Sequence, residues 1–502
     1  MIKPILKNDG VNESERQLSK LLNDTFLSLW SYIGPYSDEG TAKNKQGKEI
    51  CDAIVVFGNK IIIFSDKEIK FNEEKAIEIA WKRWYKKSVS DSVKQLYAAE
   101  AWIKKYPNRV FLDNFCQEPF PLDLSDKRLE IHLIAITKNT FNPAKKYFDN
   151  IKIGSTGTLA YSYALKEKDI LDRPFFLCDI NPKKTFVHIF DEFSIQLILN
   201  ELSTISDFIN YLKVKENLIR NKGLNGVCGE EDLLGYYLDD KEFLLGRSQF
   251  SYPDTNCEDN LNIVEGYWSV FQNSKNFEVH NTLKAISSYW SELTARLSDC
   301  VVSAEVGEGK DIPITKHEIV LRSMASETMV DRAYLGHSFQ EKFEKVPSNR
   351  RSARVLQSPS KKDKFYVFLF LPFNPNENLE DHTKRRAEVA WGYGLVVKYK
   401  QPIASSITVI VTQPKGSYYR SEAVYLLGCT KELTFIQKRT AEKLIKEYSI
   451  LRELTNYSTL LSDHNAKLKI KWGRNNPCHC GSGEKYKKCC LNIDTQTNSR
   501  YT

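Results

Sequence analysis

Cys51-Asp52-Ala53-Ile54-Val55-Val56-Phe57-Gly58-Asn59-Lys60-Ile61-Ile62-Ile63-Phe64-Ser65-Asp66-Lys67 reads as two strands joined by a tight turn. Cys51–Phe57 and Lys60–Lys67 are short apolar runs rich in β-branched side chains, the composition of buried strands. Gly58-Asn59 between them is a two-residue hairpin signal, because both residue types accept the positive φ such a turn needs. An acid stands at the start of the first run and a lysine at the end of the second.

Working outward, Glu13 through Tyr32 carries apolar residues at Leu18, Leu21, Leu22, Phe26 and Leu29, continuing to Ile33, with helical spacing. A polar, glycine-containing stretch follows from Gly34 to Gly47. Beyond the hairpin, Ala76–Tyr85 and Asp91–Tyr106 read as helices, the second with Val93, Leu96, Tyr97, Ala98, Ala99 and Ile103 on a broad apolar face.

Helix, strand, strand, helix, with Asp52 and Lys67 so placed, resembles the core of the PD-(D/E)XK nuclease superfamily, the restriction-endonuclease-like fold. The resemblance implies a carboxylate from the first helix, a strand Asp, and an acid-x-Lys on the next strand converging on Mg²⁺ or Mn²⁺. Hard oxygen ligands hold such an ion, which activates water and stabilises charge on the phosphoryl group, with a lysine assisting. Carried over, Glu15 is the helical acid, Asp52 the strand Asp and Lys67 the lysine. The departure is Ser65, which stands where the second acid belongs. In a regular strand Ser65 and Lys67 share a face and Asp66 points to the other. Gln95 occupies a place where related nucleases carry a supporting Gln. Three readings stand open at this point. The set is a divergent metal site, an inactive nuclease fold kept for binding, or ordinary strand-end and helix charges.

Further along, Arg128–Thr137, Phe175–Asp179 and Thr185–Phe190 read as strands that extend the first sheet, and Glu192–Glu216 as one long helix. Glu230-Glu231-Asp232 is an acidic helix start, a placement the helix dipole favours. Residues 260–345 are mainly helical, with Trp268 and Trp290 as core anchors; His280, His317 and His337 have no ligand-like spacing. Lys364–Phe373, Leu379–Lys398 and Ser406–Gln413 spell strand, crossover helix, strand, a second α/β unit with parallel pairing. On its helix, Lys384-Arg385-Arg386 beside His382 is a basic cluster, either facing phosphates or a solvated face. Thr430–Leu454 is a further helix. Gly223–Gly229, Gly307–Pro313 and Pro347–Asp363 are the expected linkers.

The tail carries a second signal: Cys478-His479-Cys480, eight residues, then Cys489-Cys490, four of the eleven cysteines. Thiolates paired across a Gly481-Ser482-Gly483 turn suit tetrahedral zinc, and a knuckle this small folds on its metal. Gly473-Arg474-Asn475-Asn476-Pro477-Cys478-His479-Cys480 through Tyr486-Lys487-Lys488-Cys489-Cys490 closely resembles the SEC-C zinc motif, which also ends the preprotein-translocase motor ATPase. Cys478, Cys480, Cys489 and Cys490 are the simplest ligand set, with His479 a second candidate. A disulfide is the competing reading, disfavoured in a reducing cytosol. From Lys467 to Cys490 seven Lys/Arg face one acid, Glu484, leaving a basic surface for nucleic acid, ribosome or an acidic protein face.

For 502 residues, 41% hydrophobic and 12% aromatic composition supplies real cores, and length suggests two to four domains. The net charge of +8 permits nucleic-acid binding without demanding it. No signal peptide or spanning apolar run is legible, so a cytoplasmic protein without membrane contact is expected. A P-loop, a dinucleotide glycine fingerprint and a nucleophile elbow are all missing from the sequence, which argues against those chemistries. The expected organisation is α/β and multidomain: a restriction-endonuclease-like α/β domain (1–225), a helical middle (230–346), a second α/β domain (362–470) and a zinc knuckle (472–492). The leading functional expectation is a metal-dependent nuclease or nuclease-like nucleic-acid-binding protein, in a setting such as bacterial anti-phage defence. The alternative is a non-enzymatic adaptor whose tail docks on a protein or ribosomal partner.

Overall fold

The computed structural model describes residues 2–240, 250, 252, 261–417, 420–451 and 485–488. The chain is mixed α/β and divides into two compact units, Met1–Asn276 with Leu293–Thr328, and Phe277–Glu292 with Met329–Thr502. Among the described residues no helix is long and apolar enough to cross a membrane.

In the first unit, α1 (Glu13–Phe26) starts at Asn12, whose side chain accepts the Glu15 N–H, and buries Leu18, Leu22 and Phe26. The helical spacing that continues to Ile33 misleads. Leu27 takes a positive φ of 65° and ends the helix, and Ser31–Ile33 becomes strand β1. β1 pairs antiparallel with β2 (Ala53–Phe57), which pairs antiparallel with β3 (Lys60–Lys67) through the Gly58-Asn59 turn, with Phe57 opposite Lys60. Gly58 has φ 64°, and the Arg322 guanidinium lies where its Cβ would be.

After β3 come α2 (Ile77–Tyr85) and α3 (Asp91–Lys105), made continuous by a π-helical turn at Lys86–Ser90. The chain then returns as β4 (Glu130–Thr137), parallel to β3, and later β5 (Val187–Asp191), parallel to β4. The sheet order is β1-β2-β3-β4-β5. Its strands are buried on both faces, as sheets covered by helices on each side must be. Phe64 and Asp66 of β3 face α1, with Phe26 and Phe64 rings 6.3 Å apart, while Ser65 faces α3.

Three expectations for this unit change. Phe176–Leu177 does not extend the main sheet but pairs with Ala160–Ser162 in a second one, alongside Leu224–Val227 and Leu261–Ile263. The Gly223–Gly229 linker is therefore largely a strand. The single helix expected over Glu192–Glu216 is two, α4 (Glu192–Glu201) and α5 (Ile205–Asn221). Leu202 closes the first, and the Thr204 hydroxyl accepts the Asp207 N–H to cap the second.

The acidic start of α6 (Glu230–Leu238) is buried. Glu230, Glu231 and Asp232 are all under 5% exposed. Glu231 Oε1 accepts from Thr156 Oγ1 (2.5 Å) and Thr158 Oγ1 (2.8 Å). Burial, with a contribution from the Asp232 charge, still pushes its carboxyl up to about 7. The folded state thus holds this proton more tightly than the unfolded chain. The stabilisation is complete below the ordinary Glu value and is lost as pH rises to about 7. Glu231→Gln is expected to remove that loss. Between pH 5 and pH 8, wild type should shed on the order of 2 kcal/mol more stability than the variant, read from urea midpoints.

The second unit is built on β6 (Ser352–Gln357), β7 (Lys364–Phe370), β8 (Ser406–Thr412) and β9 (Ala423–Gly428), in that spatial order. β7 and β8 pair parallel, joined by the crossover helix α7 (Leu379–Lys400). β6 lies inside the stretch read as a linker. Its residues are mostly half-buried at a sheet edge, so they carry little apolar signal. Along β7, Phe365, Val367 and Leu369 pack with Tyr393, Val396 and Val397 of α7. On the other face Tyr366 meets Trp290 edge-on at 5.3 Å and Phe368 meets Phe339. Trp290 is fully buried and Trp268 only partly. This unit also holds the helices Met329–Lys345 and Phe435–Tyr448 and the short turn Tyr486–Lys488.

Candidate functional site

The β2–β3 hairpin brings its two ends together, and the site forms there. The Asp52 carboxylate accepts the Asp66 N–H on Oδ2 (2.6 Å) and Gln95 Nε2 on Oδ1 (3.4 Å). Lys67 Nζ lies 4.0 Å from Asp52 Oδ2. The Ser65 hydroxyl donates to Gln95 Oε1 at 3.1 Å and lies 3.1 Å from Ser92 Oγ. Asp52, Ser65, Lys67 and Gln95 therefore share one face of the strand end, supplied by two strands and α3. Burial raises the Asp52 carboxyl above its ordinary range, while Lys67, the Asp66 amide and Gln95 pull it back.

Glu15 is committed differently. Its carboxylate accepts the Val11 N–H (2.6 Å) and Asn12 Nδ2 (2.6 Å) at the start of α1. Asp66 turns its side chain to the other face, where Oδ2 accepts from Ser14 Oγ (2.8 Å) and Lys138 Nζ (2.9 Å).

Two residues that sequence reading passed over belong here. Glu49 closes a two-residue strand opposite Tyr36. Gly34 sits between it and the hairpin: the Gly34 N–H donates to the Asp52 carbonyl (3.0 Å), and a Cβ on Gly34 would lie 3.7 Å from Glu49 Oε1. Although much of Glu49 remains open to solvent, partial burial and then the Asp52 and Glu15 charges push its carboxyl up to about 7, with Lys67 opposing. An acid three residues before Asp52 was the available signal. Lys138 follows β4 directly, and only the parallel register, Lys67 opposite Thr137, places it at this edge.

The fit to a metal ion can be judged from the donor set. Among the described residues no group of three His, Cys, Asp or Glu side chains stands ready to hold a metal ion, so there is no all-protein cage. Mg²⁺ and Mn²⁺ do not need one. Mg²⁺ keeps waters and is commonly bound by one or two carboxylates completed by substrate phosphates. Asp52, with Glu49 near enough for their charges to interact, would offer carboxylates of that kind.

The basic cluster on α7 is not a free phosphate-binding face. Arg385 donates to both Glu377 oxygens (2.6 Å each), and Lys384 pairs with Glu380 at 2.8 Å. Arg386 is 5% exposed and donates to Ser421 Oγ. His382 is buried between Glu377, Gln413 and the Phe373 ring. The four tail cysteines Cys478, Cys480, Cys489 and Cys490 lie outside the described residues.

Residues 474–492 match the model of the SEC-C motif family, a zinc-binding type of motif. UPF0225 proteins of Vibrio cholerae serotype O1, from strains M66-2 and ATCC 39315 / El Tor Inaba N16961, are 81% identical to this chain over 21 residues. That segment is 4% of this chain and 14% of each relative, so the chain spans only a small part of the curated relatives it matches. No solved structure matches the chain.

Proposed function

We propose that the first unit is a restriction-endonuclease-like domain of the PD-(D/E)XK type, acting on nucleic-acid phosphodiesters with Mg²⁺ or Mn²⁺, and that the tail is a structural zinc knuckle. The observation that carries this reading is the meeting of Asp52, Lys67 and Gln95 at the open end of the hairpin. The connectivity supports it too: helix, antiparallel three-strand meander, helix, then a parallel fourth strand. Asp52 and Glu49 would hold the ion, which supplies charge stabilisation and an activated water. Lys67 would face the developing negative charge. Gln95 and the Asp66 amide fix the Asp52 carboxylate, and Ser65 fixes Gln95.

Ser65 in the acid position favours a second reading, a nuclease-like fold retained to bind nucleic acid without cutting it. Incubating the purified chain with plasmid DNA and with total RNA, with and without manganese, separates the two. Manganese-dependent cleavage is the expected result, whereas salt-sensitive retention without cleavage selects the second.

For the tail, one zinc per chain is expected by elemental analysis, falling to none in Cys489→Ser/Cys490→Ser. Equal zinc in both proteins would remove these cysteines from the ligand set. A four-thiolate centre leaves no open coordination position, so its role is structural.

A further inference from the structure

We propose that Ser14, Lys138 and Asp66 form a brace on the α1 face of the sheet that fixes the geometry of Asp52 on the opposite face, making Lys138 a positioning residue. The inference rests on the reading of the Asp52 site as a metal-dependent one, and extends it to residues on the α1 face of the sheet. Lys138 emerges beside the end of β3 because Thr137 pairs with Lys67. Its ammonium donates to Asp66 Oδ2 and to Ser14 Oγ, and Ser14 donates to the same Oδ2. Both charged side chains are largely enclosed, Lys138 at 18% and Asp66 at 6% exposure. Charge-assisted hydrogen bonds in such a setting are short and strong.

Asp66 links the two faces. Its side chain is gripped on one face, while its own N–H reaches Asp52 Oδ2 at 2.6 Å. Any rotation of the residue that follows loss of Lys138 moves that N–H and frees the Asp52 carboxylate. Without the ammonium, a nearly buried Asp66 carboxylate is left with only Ser14, and its side chain is no longer held in place. The brace also holds Ser14 in the first turn of α1, next to Glu15. Residues that orient metal ligands from behind typically change metal affinity by about 10–100-fold when removed.

The test uses the full chain as wild type, Lys138→Met, Lys138→Arg and Ser14→Ala, each first shown to be folded by circular dichroism and melting. Two quantities are measured: hydrogen exchange of the Asp66 amide, and Mn²⁺ affinity by calorimetry. Lys138→Met is expected to speed exchange at Asp66 and weaken Mn²⁺ binding at least about tenfold, with Lys138→Arg recovering most of both. Lys138→Met that exchanges and binds like wild type overturns the brace. Should Lys138→Met not fold, Ser14→Ala, which keeps both charges, carries the same two readouts with a smaller effect. If wild type binds no Mn²⁺, the metal reading falls. Amide exchange in Lys138→Met then decides the brace alone: unchanged protection overturns it, and lost protection upholds it.

Discussion

Asp52→Ala is expected to abolish metal-dependent cleavage and Lys67→Ala to lower it by at least about a hundredfold, with neither variant melting at a lower temperature. Neither side chain is fully buried, so neither contributes much packing. Asp52 is 18% exposed and Lys67 31%, and they stand 4.0 Å apart. Burial raises the Asp52 carboxyl, so its charge is held at some cost to the fold. Removing it relieves that cost while losing two hydrogen bonds, each a modest net contribution. Activity and stability should therefore part company at these positions. Circular dichroism melts run beside the cleavage gels show whether they do, and unchanged cutting by both variants would sink the assignment of the site.

The second large effect is on stability. Lys215→Met should destabilise the first unit by about 3–5 kcal/mol, the usual cost of leaving a buried charge without its partner. Lys215 and Glu230 are 1% and 0% exposed, joined at 2.5 Å. The Tyr211 hydroxyl donates to the other Glu230 oxygen, and the Lys215 ammonium lies 4.6 Å over the Tyr161 ring and 4.7 Å over Phe190. The pair links α5 to α6 across the rings of β5 and the second sheet. Adding Glu230→Gln to Lys215→Met removes the orphaned charge and should recover part of the loss. A thermal shift on the order of 10 °C for the single variant is expected at this domain size. A single variant that melts with wild type would show that the pair is not closed in solution.

How much of this was legible depends on the kind of information each feature needs. The hairpin was readable because Gly58-Asn59 and two doubly buried runs are local signals. So was the parallel β7–β8 pair, whose strand–helix–strand pattern repeats nothing but periodicity and length. The end of α1 was not, because Leu29 and Ile33 keep helical spacing while belonging to a turn and a strand. The edge strand Ser352–Gln357 hid in a charged stretch because an edge needs few apolar side chains. Alternation along β3 already put Asp66 on the face opposite Ser65. What Asp66 does there required knowing that β4 runs parallel to β3 in one register, which no local pattern in Arg128–Lys138 encodes. The same holds for Glu49, brought near Asp52 through Gly34, and for Lys215, whose partner lies in what reads as an acidic helix start.

On the proposed reading, the open end of the β2–β3 hairpin holds a divalent ion through Asp52. Electron paramagnetic resonance of Mn²⁺ titrated into the full chain, with and without a short oligonucleotide, addresses it directly, with Asp52→Ala measured in parallel. Bound Mn²⁺ is expected in wild type, tightened by the oligonucleotide, and none attributable to this site in Asp52→Ala. Equal Mn²⁺ binding by the two proteins would contradict it.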